Sequence, residues 1–142
     1  MAQFVLDASL ALAWCFAEEA TSYTESVLDH MKNGVQARVP PHWPVEILNV
    51  LVQAKRKGRI AGETVEDFLL RLTSFDISVD SVRGFPQMRT TQRFAEMHRL
   101  TSYDAAYLEL AIRLGVPLAS LDNDLRKAAQ AESVPLVEQN IQ

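Results

Sequence analysis

The chain has 142 residues, 48% hydrophobic and 23% charged, which supports a buried core and excludes a disordered chain. Acidic residues outnumber basic ones 18 to 14, giving a net charge of −4, so no global positive field attracts nucleic acid; a polyanionic partner must be held by local basic patches or by bound metal. The single cysteine, Cys15, excludes an internal disulfide framework and a Cys-based zinc site.

The apolar run from Phe4 to Ala17 carries no basic leader, is interrupted by Asp7 and is too short to span a bilayer. With one cysteine and no better membrane segment, the expectation is a soluble cytoplasmic protein.

In chain order, Phe4 to Leu6 is a short continuous apolar run, as in a buried parallel strand, and Ala8 to Phe16 reads as a helix. A second helix runs from about Thr21 to Met31, closed by Asn33 and Gly34, and a short strand covers Ala37 to Val39. Pro44 opens a helix over Val45 to Lys57 that is apolar nearly all round, apart from a stripe of Glu46, Asn49 and Gln53. An amphipathic helix from Thr64 to Leu72 precedes a third strand at Ile77 to Val79. Pro86 opens a helix to about Leu100, and a further helix through Leu110 starts at Thr101 and Ser102 and stops at Gly115 and Pro117. Pro117 to Leu121 is a fourth strand, Asp122 to Ala131 a helix, and Leu136 and Val137 a short last strand. Short apolar strands alternating with helices give an α/β fold with a parallel sheet covered on both faces, in one domain over residues 1–142.

Ligands of an open parallel sheet bind beyond the carboxyl ends of its strands. Asp7 and Asp122 each follow a predicted strand, with Asp124 two residues on; Glu46 and Asp104 each lie in the first turn of a helix. At 100° per residue Asp104 shares a face with Leu108 and Ala111, the side expected to be buried, whereas Glu109 points elsewhere with Arg113 four residues on, as a solvated acid does. Each acid also has a plain structural use, as a helix cap or as a partner for a helix N-terminus. Gathered at one edge, they require a cation or raised pKa values. Oxygen-only ligation suits Mg²⁺ or Mn²⁺ rather than zinc, and His30, His42 and His98 are scattered and read as non-ligands. Phosphodiester hydrolysis is the natural chemistry of such a site.

Val5-Leu6-Asp7-Ala8-Ser9, Pro44-Val45-Glu46-Ile47-Leu48-Asn49, Thr101-Ser102-Tyr103-Asp104-Ala105-Ala106-Tyr107 and Leu121-Asp122-Asn123-Asp124-Leu125 resemble, in order, the acidic motifs of PIN domains. The size and the Tyr-Asp-Ala-Ala-Tyr segment look most like the VapC toxins of VapBC toxin–antitoxin systems. The resemblance implies a parallel sheet of order 3-2-1-4-5 with helices on both faces, and a Mg²⁺- or Mn²⁺-dependent endoribonuclease leaving 5′-phosphate and 3′-hydroxyl ends. It implies catalysis and metal binding by Asp7, Glu46, Asp104 and Asp122, with Ser9, Asn49 and Asp124 auxiliary. It also implies a small VapB-like antitoxin as partner.

For the RNA, Lys55, Arg56, Lys57 and Arg59 cluster at the end of the Glu46 helix, and Arg89, Arg93 and Arg99 extend a basic track. Helix-dipole compensation explains the first group equally well. The apolar surface of the Glu46 helix, with the Phe68, Leu69 and Leu72 face of the next, suggests a homodimer; Trp43 reads as core or as an anchor there. Rival readings are a PIN-domain ribonuclease of RNA processing without an antitoxin and a catalytically inactive PIN-like binding module. A receiver-type phosphoacceptor is disfavoured, because no Lys follows Leu136 and Val137.

Overall fold

A computed structural model describes residues 1–81 and 84–138. Four parallel strands, β1 (Gln3–Leu6), β2 (Gln36–Val39), β3 (Ile77–Val79) and β4 (Leu118–Ala119), form one sheet in the order β3-β2-β1-β4. Successive residues of a strand face opposite sides of its sheet, and Phe4, Val5 and Leu6 are all 0% exposed, so both faces of β1 are covered. The covering helices are α1 (Ala8–Leu12), α2 (Ser22–Lys32), α3 (Trp43–Arg56), α4 (Gly62–Thr73), α5 (Phe85–His98), α6 (Ser102–Leu114) and α7 (Asn123–Ala131).

The order in which strands are added reverses at β1. The chain proceeds outward through β2 and β3, then returns so that β4 lies on the other flank of β1. The expected fifth strand is reduced to a single parallel bridge between Leu118 and Leu136, secured by Leu118 N–H to Pro135 O at 2.9 Å and Val137 N–H to Leu118 O at 2.9 Å. Pro135 itself has no amide hydrogen to extend the ladder.

Helix ends follow local chemistry. Thr21 begins α2 through a reciprocal capping box with Thr24, Thr101 accepts from Asp104 N–H to begin α6, and Gly115, at φ 66°, takes the left-handed turn that ends α6. The first helix is shorter than its apolar run implies. After Leu12 the amides of Ala13, Trp14 and Cys15 bond three residues back, tightening the coil, and the Trp14 indole N–H donates to Thr24 O at 3.0 Å instead of continuing a helical face.

Two surface expectations are corrected. Phe68 is buried in the chain's own core, with Leu69 and Leu72 packed partly against it, so that face of α4 is not available to a second copy; Leu70 points outward instead. Trp43 is likewise core. The larger correction concerns Glu109, which is only 7% exposed. Its carboxylate accepts from Arg113 Nε at 2.7 Å and from Nη2 at 3.2 Å, and Arg113 also donates to buried Asp80 at 2.7 Å. Arg38 Nη2 lies 3.9 Å from the same aspartate. Helix α6 is enclosed nearly all round, so even its i,i+4 ion pair lies under cover, joining the helix to the ends of β2 and β3.

Glu109→Gln therefore destabilises the protein. Removing one charge from a mostly buried network costs about 1–2 kcal/mol, since Arg113 keeps Asp80 but loses a charged acceptor. Urea denaturation of the variant should show a lowered midpoint with an unchanged slope.

Candidate functional site

Parallel pairing of Leu6 with Ala119 sets the next residues, Asp7 and Ser120, side by side at the carboxyl edge, where Asp7 N–H donates to Ala119 O at 2.9 Å. Asp7 is 2% exposed. Its carboxylate oxygen Oδ2 accepts from Ser120 Oγ at 2.6 Å and from Ser9 Oγ at 2.8 Å. Those hydroxyls are themselves fixed, because Ser9 Oγ accepts from Leu121 N–H at 3.2 Å and Ser120 Oγ from Asp122 N–H at 3.0 Å. Asp7 also caps α1, but its bond from Ser9 N–H is 3.5 Å long and contributes little.

The other three acids are less buried. Glu46 stands in the first turn of α3, its Oε2 accepting from the Tyr107 hydroxyl at 3.3 Å. Its Oε1 lies 3.2 Å from His42 Nε2, but the two are not aligned for a hydrogen bond, and both buried atoms are left without one. Asp104, half-buried, is in the first turn of α6. Half-buried Asp122 caps α7, accepting from Leu125 N–H at 2.9 Å. Asp124 and Asn49 are exposed, and among the described residues no hydrogen bond joins Asn49 to Glu46.

The electrostatics link all four. Burial pushes the Asp7 carboxyl up from 3.8 to about 6, against the lowering effect of Ser120 and Ser9, and the negative charges of Glu46 and Asp104 add to the rise. Asp104 is raised by burial, then by Asp122, with a smaller push from Glu46. No Lys or Arg is paired with any of the four among the described residues, unlike Asp80 and Glu109. The side chains are not drawn in around one point: among the described residues, no three His, Cys, Asp or Glu side chains stand close enough to hold an ion. The donor chemistry nonetheless fits a hard divalent cation. It offers carboxylate oxygens with no Lys or Arg paired to them among the described residues, and one of them, Glu46 Oε1, is a buried acceptor without a hydrogen bond, 3.2 Å from the His42 ring nitrogen.

Sequence reasoning missed Ser120, Tyr107 and His42. Ser120 sits two residues before Asp122 and is fully buried, which no periodicity reveals in so short a strand. Tyr107 reads as an ordinary core aromatic, and its phenol, with burial first and then Asp7 and Glu46 pushing its pKa up, stays protonated. His42 stands four residues before Glu46, a helical spacing concealed because it falls ahead of Pro44. Its ring meets Tyr103 and Tyr107 edge to face, with centroids 5.5 and 5.3 Å away.

The expected RNA-contacting cations divide. Lys55, Arg56 and Lys57 are exposed at the end of α3, and Arg89 and Arg93 are exposed on α5. Arg59 is engaged within the chain, 2.6 Å from Glu18 and 3.3 Å from Glu19, with its guanidinium 4.0 Å above the Phe16 ring. No described helix is long and apolar enough to cross a membrane.

A family model described as PIN domain matches residues 4–131. No protein of curated function matches the sequence. Among solved structures, one protein from Pyrobaculum aerophilum is 23% identical with a TM-score of 0.67, the match covering 89% of this chain and 84% of that one. The sarcin-ricin-loop-cleaving toxin VapC20 of Mycobacterium tuberculosis is 14% identical, with a TM-score of 0.64 and coverage of 88% and 94%. VapBC2 of Rickettsia felis, bound to a promoter DNA fragment, is 11% identical, with a TM-score of 0.68 and coverage of 97% and 99%. At these identities the likeness is one of fold.

The raised Asp7 carboxyl has a consequence for stability. Its folded pKa lies above the unfolded value, so the folded state holds the extra proton between pH 3.8 and about 6. The contribution is fully present below that window and is lost as pH rises through about 6, amounting to about 3 kcal/mol. Asp7→Asn removes the titration. In metal-free buffer at pH 8 the variant should melt at or above the wild-type temperature, and the two melting-temperature curves should converge or cross as pH falls toward 4. A variant that is less stable at pH 8 but not at pH 4 contradicts the burial argument.

Proposed function

The chain belongs to the PIN domain family, and on that premise we propose that it is a Mg²⁺- or Mn²⁺-dependent endoribonuclease, one domain over residues 1–142, acting as the toxin of a toxin–antitoxin pair. The observation that carries this reading is the electrostatic linkage of Asp7, Glu46, Asp104 and Asp122, four acids from four segments that no Lys or Arg pairs among the described residues, with the His42 ring alone beside Glu46. Acids gathered around one buried member, Asp7, cost stability unless something cationic binds them.

Asp7 and Glu46 form the floor of the site. The Ser9 and Ser120 hydroxyls hold Asp7 in a fixed rotamer, and Glu46 keeps an oxygen without a hydrogen bond, Oε1, beside the His42 ring, for a ligand. Asp104 and Asp122 are half-exposed and form the open side, where a phosphodiester enters. A bound divalent ion supplies a water of lowered pKa and neutralises charge developing on phosphorus. The raised Asp104 carboxyl suits it to take up a proton at the solvent side. Exposed Lys55, Arg56 and Lys57 at the far end of α3, and Arg89 and Arg93 on α5, offer phosphate contacts for a longer RNA.

Two surfaces support partners. On α3, Val45, Leu48 and Val52 fall on one stripe and are 67%, 44% and 43% exposed, which supports a homodimer through α3 alone. On α5, Phe85 and Met88 are 73% and 66% exposed beside a groove reaching Pro41, Ser102 and Glu109, which supports docking of a small antitoxin. VapBC2 of Rickettsia felis supports the same class of partner by fold. Cytoplasmic location accords with a single free cysteine.

Asp104→Asn and Asp7→Asn should each lower RNA cleavage by at least about 10²-fold while the far-ultraviolet circular dichroism stays wild-type. Gel analysis of a labelled RNA pool, with and without EDTA, tests this. Undiminished cleavage in excess EDTA, or by either variant, overturns the mechanism. Co-expression with a small protein encoded beside it tests the toxin assignment: the reading expects such a neighbour to form a stable complex with suppressed cleavage, and failure of both sinks it.

A further inference from the structure

We propose that Tyr107 is a positioning residue that orients the Glu46 carboxylate for cation binding, an inference that rests on the nuclease reading above. Tyr107 is 0% exposed and lies one helical turn beyond Asp104 on α6. Its oxygen accepts from Ala8 N–H at 3.3 Å and stands 3.3 Å from Glu46 Oε2. An amide can only donate, so the bond from Ala8 leaves the single phenolic proton for Glu46. The direction of the chain is thereby fixed, from the backbone after Asp7, through Tyr107, to Oε2.

That direction distinguishes the two oxygens of Glu46. Oε2 is occupied by the phenol, and Oε1 is the buried atom left without a hydrogen bond. Tyr107 therefore selects the oxygen that remains for a ligand. Because the same helix carries Asp104 and the same hydroxyl touches the residue after Asp7, one ring ties three acids into one frame. The His42 ring meets Tyr107 edge to face at 76°, with centroids 5.3 Å apart, and packs the ring in place.

Tyr107→Phe keeps the ring and its packing and removes only the hydroxyl. If the phenol serves packing alone, the variant loses thermal stability but each folded molecule binds cation as before. If it positions Glu46, titration calorimetry should show Mn²⁺ affinity weakened 10–100-fold, to order of magnitude. On an oligoribonucleotide, kcat should fall while KM stays within about twofold. Tyr23→Phe, a phenol on α2 outside the acid group, is the control and should leave Mn²⁺ affinity unchanged. A Tyr107→Phe protein that binds Mn²⁺ as tightly as the wild type overturns the inference and leaves the nuclease reading intact. A wild type that binds no Mn²⁺ and cleaves no RNA overturns both. Should Tyr107→Phe not fold, the wild-type hydroxyl proton resonance of Tyr107 decides: it should shift as Mg²⁺ saturates the protein, and a resonance that stays fixed overturns the inference.

Discussion

Leu6 pairs with Ala119 in parallel register, and the edge of the molecule that gathers Asp7, Ser9, Ser120 and Asp122 is arranged around that pairing. The two strands end together, so Asp7 and Ser120 emerge as neighbours and the Ser120 hydroxyl reaches the Asp7 carboxylate at 2.6 Å. Ser9, two residues along the first helix, completes the clamp. The same two hydroxyls accept the amides of Leu121 and Asp122, which fixes where the chain leaves β4 and where Asp122 begins α7. A one-residue slip of β4 would turn Ser120 to the other face and break the clamp.

Two groups of acids lie inside this fold, and physical chemistry separates them. Asp80 and Glu109 are buried but answered by Arg113, with Arg38 nearby, so their charges hold the strand ends and α6 together. Asp7, Glu46, Asp104 and Asp122 have hydroxyls and a histidine around them and no paired Lys or Arg among the described residues. Burial and mutual repulsion raise Asp7 and Asp104. Both groups meet on α6, whose first turn serves the open site and whose later turns are anchored by Arg113. The helix thus carries a stable end and a strained end, and the anchored end keeps the strained one in place.

Much of this was legible before any coordinates. Four apolar runs fall where the four strands lie, and capping chemistry at Thr101 and Asp122 places two helix starts to within a residue. The positions of the four acids were legible because each follows a strand or stands in the first turn of a helix, and their electrostatic coupling follows from those positions. What failed had physical causes. Helical angle alone put Glu109 on a solvated face, but α6 is enclosed nearly all round and its exposed side is narrow, so the ion pair lies inside. Amphipathic pattern alone gave Phe68, Leu69 and Leu72 to a partner, whereas the chain's own core takes them. Ser120 and Tyr107 act through contacts across 113 and 61 residues of sequence, which local pattern does not encode.

The central claim is that the uncompensated acid group, and not the arginine-paired one, is the cation site. Anomalous scattering from a crystal soaked in Mn²⁺ tests it most directly. The account predicts a peak bordered by Asp7, Glu46, Asp104 and Asp122, with Glu46 Oε1 rather than Oε2 turned toward it. A map with no peak at that edge, or with manganese only at Asp80 and Glu109 or on exposed carboxylates, contradicts it.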